Sequence, residues 1–173
     1  MLALALATFT VNAQISVQVG GQAMMPKKNI VENAVNSKAH TTLVAALKAA
    51  GLVETLQSAG PFTVFAPVND AFENLPAGTV ETLLKAENKS KLSKVLTYHV
   101  ISGKYDFKAL SKMVKRGKNT MKTVSGNTLT FMMNGPRNIM VKDENGNTAN
   151  ISMYDVYQSN GVIHSIDTVL LPK

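Results

Sequence analysis

TVFAPVNDAF at residues 63–72 and NGVIHSIDTVLLP at residues 160–172 are the two stretches of sequence that decide the fold. In the first, a short apolar run ends at Pro67 and is followed by Asp70, a residue type that often begins a helix. In the second, an Asn-Gly turn opens an apolar run that ends at Pro172. Each stretch therefore predicts a buried strand, and both strands must reach the same core.

The spacing of apolar residues changes along the chain, from a helical period in the first half to alternation in the second. Asn29 and Glu32 have the spacing of a capping box, which predicts that a helix begins there. Further helices are predicted at 42–50, 52–57, from Asn69 or Asp70 onward, and at 79–86, 90–101 and 106–116. Strands are predicted at 62–66, 120–124, 128–133, 139–142, 148–153 and 162–171, the last being the longest. Helices followed by strands indicate an α+β fold.

Composition places the chain among ordinary globular proteins. It has 173 residues, of which 45% are hydrophobic and 17% are charged, which fits one domain. It contains no cysteine, so a disulfide framework, a thiolate metal site and a cysteine nucleophile are excluded. Lysine and arginine outnumber the acids by 18 to 11. Such an excess favours polyanionic partners: acidic polysaccharide, anionic lipid or nucleic acid.

The N-terminal residues predict export from the cytoplasm. The stretch MLALALATFTVNA is apolar and uncharged, and Val11 and Ala13 occupy the −3 and −1 positions of a cleavage site before Gln14. A buried N-terminal strand is the alternative. The predicted organisation is a signal peptide remnant at 1–13, a linker at 14–28 and one domain at 29–173. We therefore expect a secreted, periplasmic or cell-surface protein with no integral membrane segment, and export argues against nucleic acid as partner.

The two stretches resemble the signature segments of the fasciclin domain, and LTYHVI at 96–101 is similar to a third segment that lies between them. Val68 and Asp70 fill positions that Thr and Glu often take in that family. The residues that carry the signature are Phe65, Pro67, Asn69, Asp70, Phe72, Asn160, Gly161, His164 and Asp167. The resemblance implies a fasciclin-like fold, in which helices from the N-terminal half pack on a small β-sandwich or wedge from the C-terminal half.

The resemblance also implies a secreted, non-catalytic, single-domain module of the bacterial type. Its expected partners are a cell-surface or matrix protein or an acidic polysaccharide. In animal members of the family the Tyr-His pair is linked to adhesion, and Tyr98 and His99 match that pair. His99 lies on the apolar stripe of its predicted helix, whereas Tyr98 lies off that stripe and is predicted to be partly exposed.

The histidines and acids do not form a pattern typical of catalysis. His99 and His164 lie on apolar faces, which predicts interior rings with internal hydrogen bonds rather than metal ligands, whereas His40 is predicted to be exposed. Asp70 is interpreted as a helix cap, and Asp167 as a partner of backbone or lysine. The sequence has no nucleophile elbow and no phosphate-binding glycine loop. We predict no enzyme activity, no cofactor and no metal.

A run of cations is the other candidate for function. Lys104, Lys108, Lys112, Lys115 and Arg116 are predicted to contact a polyanion. If residues 106–116 are helical, Lys108, Lys112 and Arg116 form one basic ridge. The alternative is an ordinary solvated helix face.

Two other functions remain open at this stage. A carrier of a small apolar ligand would use a methionine-rich groove containing Met132, Met133 and Met153. A hydrolase with an unrecognised site is the last alternative.

Overall fold

The computed structural model describes residues 16–173. The signal peptide remnant predicted at 1–13 and the first two residues of the predicted linker lie outside the described residues. The helices are α1 (Ile30–Ala34), α2 (Thr41–Ala50), α3 (Val53–Gln57), α4 (Asn69–Glu73), α5 (Thr79–Leu84), α6 (Lys89–Tyr98) and α7 (Phe107–Lys115). The strands are β1 (Val17–Val19), β2 (Gln22–Met24), β3 (Phe62–Pro67), β4 (Val100–Ser102), β5 (Thr120–Lys122), β6 (Thr128–Met133), β7 (Ile139–Lys142), β8 (Thr148–Gln158) and β9 (Gly161–Ile166).

Seven of these strands form one curved sheet in the order β4-β3-β9-β8-β7-β6-β5. The two stretches that decide the fold lie side by side, because β3 pairs in parallel with β9 and Phe65 is opposite His164. The other pairings in this sheet are antiparallel. Beyond β5, the Val124 N–H donates to the Val100 carbonyl at the far edge of the sheet, at 2.8 Å. The sheet is therefore a nearly closed wedge, and the predicted α+β architecture is confirmed.

Apolar side chains fill a core on each face of β3. The helix-side core lies between the helices and the sheet and contains, among others, Ile30, Leu43, Leu47, Val64, Leu96 and Ile163. The inner core is enclosed by the wedge and contains, among others, Phe65, Tyr98, Leu110, Phe131 and Ile166. Because successive side chains of a strand point to opposite faces, Val64 enters the first core and Phe65 the second. The prediction that this strand is buried on both faces is confirmed.

The predicted boundaries of three segments are wrong. The strand predicted at 162–171 ends at Ile166. The strand predicted at 148–153 continues to Gln158, and with 11 residues it is the longest strand among the residues that the structure describes. The helix predicted at 90–101 ends at Tyr98, and the chain continues as β4. It turns there because β4 supplies the antiparallel neighbour of β3, which also donates its Phe65 N–H to the His99 carbonyl at 2.9 Å.

The predicted linker contains an ordered hairpin. Strands β1 and β2 pair with each other, and the side chains of Val19 and Met24 are buried in the helix-side core. The turn between the strands requires two glycines with positive φ, Gly20 and Gly21. The interpretation of residues 17–24 as a linker is therefore corrected, because burying two apolar side chains stabilises a segment that has no sustained periodicity of its own.

Candidate functional site

His164 lies at the centre of the junction between β3 and β9. Its ring is fully buried and stacks on Phe65, with the ring centroids 5.6 Å apart. Nε2 lies 2.8 Å from the Tyr105 carbonyl, and Nδ1 accepts from the Asp155 N–H at 3.3 Å. This arrangement uses one nitrogen as a donor and one as an acceptor, so it fits a neutral ring. Burial lowers the pKa of His164, which keeps that neutral form.

The polar side-chain atoms of Tyr98 and His99 also form internal hydrogen bonds. The His99 ring lies with Nδ1 2.8 Å from the Val95 carbonyl, and Nε2 accepts from the Leu170 N–H at 3.0 Å. Burial lowers the pKa of His99 to about 4, against the opposing effect of the Val95 carbonyl. The interior positions predicted for His99 and His164 are thus confirmed.

Tyr98 is fully buried, so the prediction that it is partly exposed is wrong. Its hydroxyl donates to the Thr128 carbonyl at 2.9 Å and accepts from the Glu144 N–H at 3.1 Å. Burial raises the pKa of Tyr98 to about 12. Helix α6 lies between the two cores, with Leu96 in the helix-side core and Tyr98 in the inner core. A helical stripe predicts one buried face and cannot reveal a second, which is why the sequence placed Tyr98 partly in solvent. Because both side chains are buried, Tyr98 and His99 do not present a contact surface.

His40 is buried as well, although the sequence predicted an exposed ring. Its Nδ1 lies 3.0 Å from Ser37 Oγ, and its Nε2 lies 3.4 Å from Ser165 Oγ of β9. Burial lowers its pKa. The three histidines therefore occupy separate sites, each with its own partners. Within residues 16–173, no three His, Asp or Glu side chains are grouped so as to hold a metal ion.

A polar residue of the first signature segment, Asn69 at the start of α4, connects this helix to α2 and to the loop before α2. Asn69 Oδ1 accepts from the Thr42 N–H at 3.1 Å, and Asn69 Nδ2 donates to the Lys38 carbonyl at 2.9 Å. Asp70 is exposed in the first turn of α4, whose N-cap residue, Val68, makes no side-chain hydrogen bond. The interpretation of Asp70 as a helix cap is therefore wrong. The capping side chain is Asn69, and it acts on a helix that lies earlier in the sequence.

The second signature segment connects β9 to α1 and to the loop before β3. Asn160 Oδ1 accepts from the Ile30 N–H at 3.0 Å, and its Nδ2 donates to the Leu56 and Ser58 carbonyls, both at 2.8 Å. A Cβ atom at Gly161 would overlap the backbone carbonyl of Phe62. These contacts hold the start of β9 against α1 and the loop before β3, and they leave no room for a side chain at position 161.

Asp167 bonds to backbone, one of the two alternatives predicted for it. Its carboxylate accepts from the Asn150 N–H at 2.8 Å and from Asn150 Nδ2 at 2.9 Å. Phe72, a further signature residue, packs against the helix-side core. Among the residues the structure describes, no buried side-chain nitrogen or oxygen lacks a hydrogen-bond partner. The buried signature residues thus hold the fold together, and their polar atoms are already engaged. Asp70 differs from them, because its carboxylate is exposed.

The methionines do not form the groove that a carrier would need. Met133 packs against the inner core, and Met153 packs against the helix-side core. Met132 lies on β6 opposite Met140 of β7. An apolar cavity in the helix-side core measures about 20 Å³, room for about one water molecule. The predicted methionine-rich groove is therefore wrong.

The basic segment, residues 104–122, carries most of the net positive charge of the molecule. It contains Lys104, Lys108, Lys112, Lys115, Arg116, Lys118 and Lys122, all exposed. Its one acid is Asp106, so the segment has a net charge of +6, out of +7 for the chain. The remaining residues are close to neutral, with eleven cations and ten acids. A charge distribution this uneven creates a positive potential over one part of the surface.

Helix α7 orders the cations of the basic segment. It forms because Asp106 caps it, accepting from the Ala109 N–H at 2.8 Å, and because Leu110 on the opposite face is fully buried in the inner core. Lys108, Lys112 and Arg116 therefore share the exposed face and form the predicted basic ridge. The ridge residues, together with Phe107, Ser111 and Lys115, line a shallow depression of about 540 Å³ that is open to solvent.

Two residues of β8 fix the N-terminal end of α7. Asp155 Oδ1 accepts from the Phe107 N–H at 2.7 Å, and the Tyr157 hydroxyl donates to Asp106 Oδ2 at 3.3 Å. Asp155 has a positive φ of 58°, in an irregular part of β8 where the pairing with β9 shifts register. Sequence reasoning missed both residues, because the predicted strand ended at 153 and alternation gives no signal of a bulge.

Comparisons with known proteins agree with this architecture. The family profile described as Fasciclin domain matches residues 38–172. Protein sll1483 of Synechocystis sp. is 51% identical over 143 residues, which are 83% of this chain and 73% of that protein. The cell surface glycolipoprotein MPB83 of Mycobacterium bovis is 35% identical over 88% of this chain and 64% of that protein. The transforming growth factor-beta-induced protein ig-h3 of Sus scrofa is 36% identical over 75% of this chain, but over 17% of that protein.

A solved structure supports the fold. The FAS1 domain pair of the insect cell adhesion molecule Fasciclin I superposes with a TM-score of 0.76 at 18% sequence identity. The match covers 84% of this chain and 51% of that one, so this chain spans about half of the solved pair. Within the described part of the chain, none of the helices combines the length and the apolar composition needed to cross a membrane.

Proposed function

This chain belongs to the fasciclin-domain family, and we propose that it is a non-catalytic adhesion module that acts outside the cytoplasm and binds acidic polysaccharide at the cell surface or in the matrix. The names of two relatives support this setting: one is a cell surface glycolipoprotein, and the solved structure comes from a cell adhesion molecule. The apolar N-terminal stretch supports export.

The observation that carries the proposal is the concentration of charge in the basic segment. Six of the seven net positive charges lie within residues 104–122. On the ridge, Lys108, Lys112 and Arg116 recur every fourth residue, so along the helix axis they are about 6 Å apart. A linear polymer with regularly spaced carboxylates or sulfates can contact all three cations at once. An isolated anion can contact only one or two of them.

The signature residues support a binding role rather than catalysis. Each of the three buried histidines has partners on both ring nitrogens, and burial lowers its pKa, which favours the neutral form. Burial raises the pKa of Tyr98, which keeps it protonated. A general base needs a free lone pair within reach of a substrate. Contact with another molecule must therefore come from exposed side chains, and the basic ridge is the most concentrated set of them.

The proposal is tested by measuring the binding of polygalacturonate, a linear uronate polymer, at low salt and at about 0.5 M NaCl. Replacing the ridge with glutamine (Lys108→Gln, Lys112→Gln, Arg116→Gln) removes three charges without touching either core. We expect the affinity at low salt to fall by at least about tenfold, because three charge contacts are lost. For the unchanged protein, we expect binding to weaken strongly at high salt.

The matched control removes three exposed lysines elsewhere (Lys48→Gln, Lys85→Gln, Lys91→Gln). Its net charge is the same as that of the ridge variant, so we expect its affinity to remain within about threefold of the unchanged protein. Equal losses in the two variants would show that only net charge matters and would contradict a site on α7. If the protein bound a matrix protein or anionic vesicles but not polygalacturonate, the proposal that its ligand is an acidic polysaccharide would be contradicted.

A further inference from the structure

An aromatic side chain from another part of the chain lies against the N-terminal end of the basic segment. The charge of the segment alone gives this side chain no role. Tyr157 of β8 is 37% exposed, although it belongs to the strand that fixes α7. The Nζ atom of Lys104 lies over its ring, 4.7 Å from the centroid. We propose that Tyr157 and Lys104 form the sugar-recognising end of the polysaccharide site, with the ring contacting a sugar and the ammonium pairing with that sugar's acidic group. This inference rests on the proposed function.

The position of the Tyr157 ring is set by the same contacts that set the ridge. Its hydroxyl donates to Asp106 Oδ2, and the other carboxylate oxygen of Asp106 caps α7 at the Ala109 N–H. The ring is therefore tied through its hydroxyl to Asp106 at the N-terminal end of the helix, two residues before Lys108, the first residue of the ridge. A polymer lying along the ridge would reach Tyr157 at that end.

The chemistry of an aromatic face fits a sugar ring. The face of an aromatic ring carries a negative quadrupole, which is why it attracts the ammonium of Lys104. The C–H groups of a pyranose carry a small positive charge and present a flat apolar face of similar size, so the same surface can accept them. Tyr157 also loses little conformational entropy on binding, because its hydroxyl is already bonded.

Lys104 supplies the second half of the recognition. In the free protein its ammonium covers the Tyr157 face. A uronic acid or sulfated sugar offers a full negative charge, which attracts the ammonium more strongly than the ring does. When Lys104 pairs with that group, the face of Tyr157 becomes free for the C–H groups of the same sugar unit. The pair therefore selects polymers in which an acid and an apolar ring face occur together.

The test compares two polyanions, polygalacturonate and linear polyphosphate, of which only the first has sugar rings. For Tyr157→Ala, we expect the affinity for polygalacturonate to fall by about tenfold, and the affinity for polyphosphate to remain within about twofold, because no charge has changed. Tyr157→Phe is the matched control: it keeps the ring but loses the hydrogen bond to Asp106. We expect its affinity for polygalacturonate to fall by no more than about threefold, because the ring face remains and only the bond that orients the ring is lost.

Three results would overturn the inference. If Tyr157→Ala binds polygalacturonate normally, the ring does not contact the sugar. If it loses affinity for both polymers equally, Tyr157 acts only by holding α7 in place. If Tyr157→Phe loses as much affinity as Tyr157→Ala, the hydroxyl and its bond to Asp106 are responsible. Failure of the proposed function is a separate result, in which the unchanged protein does not bind polygalacturonate, whether or not it binds polyphosphate.

Discussion

The junction of β3 with β9 and the basic segment treat their polar side chains in opposite ways. At the junction, His164 and Asn160 are buried and bonded to backbone groups from other elements. In the basic segment, the ammonium and guanidinium groups of seven residues are exposed to solvent. The residues that make the family recognisable thus differ from those available to a ligand. A sequence signature of this kind marks where the chain must close, and binding has to be sought where polar groups remain free.

The largest expected effect comes from disturbing the junction. In Gly161→Ala the new Cβ would overlap the Phe62 carbonyl, and neither backbone can move without breaking the parallel pairing of β3 with β9. We expect the free energy of unfolding to fall by at least about 3 kcal/mol. Urea denaturation followed by circular dichroism measures it.

The matched control for Gly161→Ala is Gly126→Ala. Gly126 has a φ of +87° in an open turn, with no atom near the position of a new Cβ. Only the left-handed backbone then opposes the alanine, at a cost of about 1–2 kcal/mol. If the two variants were equally stable, close approach at the junction would not matter, and the contrast between the two regions would lose its physical basis.

A smaller loss of stability is expected when the pH falls, and it arises from the buried histidines rather than from the basic segment. The pKa of His99 is about 4 in the folded protein, against an ordinary value of 6.5. Between these values the unfolded chain binds more protons, so stability is fully present above about pH 6.5 and is lost as the pH falls towards 4. We expect a loss of about 2 kcal/mol from pH 7 to pH 5 from His99 alone. Burial lowers the pKa values of His40 and His164 as well, which adds to the loss.

Denaturation curves at pH 7, 6 and 5 measure this loss in the unchanged protein and in two variants. His99→Gln removes the titrating group, so its stability should depend less on pH over this range. The ridge variant (Lys108→Gln, Lys112→Gln, Arg116→Gln) should lose as much stability as the unchanged protein, because its three substitutions are exposed. A stability that is the same at pH 7 and pH 5 would contradict the neutral, buried state of the histidines.

The smallest effect concerns Asp155, which connects the two regions. Its N–H donates to His164 and its carboxylate accepts from Phe107, so it joins the junction to the start of α7. Asp155→Ala removes the acceptor and places alanine at a φ of 58°, and we expect a loss of about 2 kcal/mol. Asp155→Asn keeps an acceptor oxygen and tolerates this φ, so its stability should change by less than about 0.5 kcal/mol.

Binding by the Asp155 variants separates position from charge. Both substitutions remove a negative charge, so simple electrostatics predicts tighter binding of polygalacturonate by each. If Asp155 holds the ridge in place, Asp155→Ala should instead bind more weakly, and Asp155→Asn should not. Hydrogen exchange at the Phe107 and Lys108 amides should rise only in Asp155→Ala. Tighter binding by both variants would mean that the position of α7 is unimportant.

The sequence predicted correctly those features that depend on residues close together in the chain, and it failed where the partners are far apart. Periodicity placed α2, α7 and β6 well, because helix and strand patterns depend on neighbouring residues. The capping box at Asn29 was also found, and Glu32 completes it in the structure. The sequence-based prediction of exposure failed for His40 and Tyr98, because their partners lie in distant parts of the chain: Ser165 for His40 and Thr128 for Tyr98.

The candidate site also has a part that the sequence predicts and a part that it does not. The basic ridge was predictable, because a four-residue spacing places Lys108, Lys112 and Arg116 on one helix face whatever that helix packs against. The contribution of β8 was not. Asp155 and Tyr157 become relevant only when a bulge in one strand meets the start of a helix some fifty residues earlier, which no local pattern encodes.

By itself, the sequence determined the order of the helices and of most strands, the absence of thiol chemistry and the concentration of positive charge, since each follows from residue type and short-range spacing. Only the tertiary structure decided which polar side chains are buried, how the sheet closes through Val124 and Val100, and which aromatic ring stands beside the cations. Burial and contact depend on residues that are far apart in the chain. Their effects are settled only when those residues compete for one packed interior.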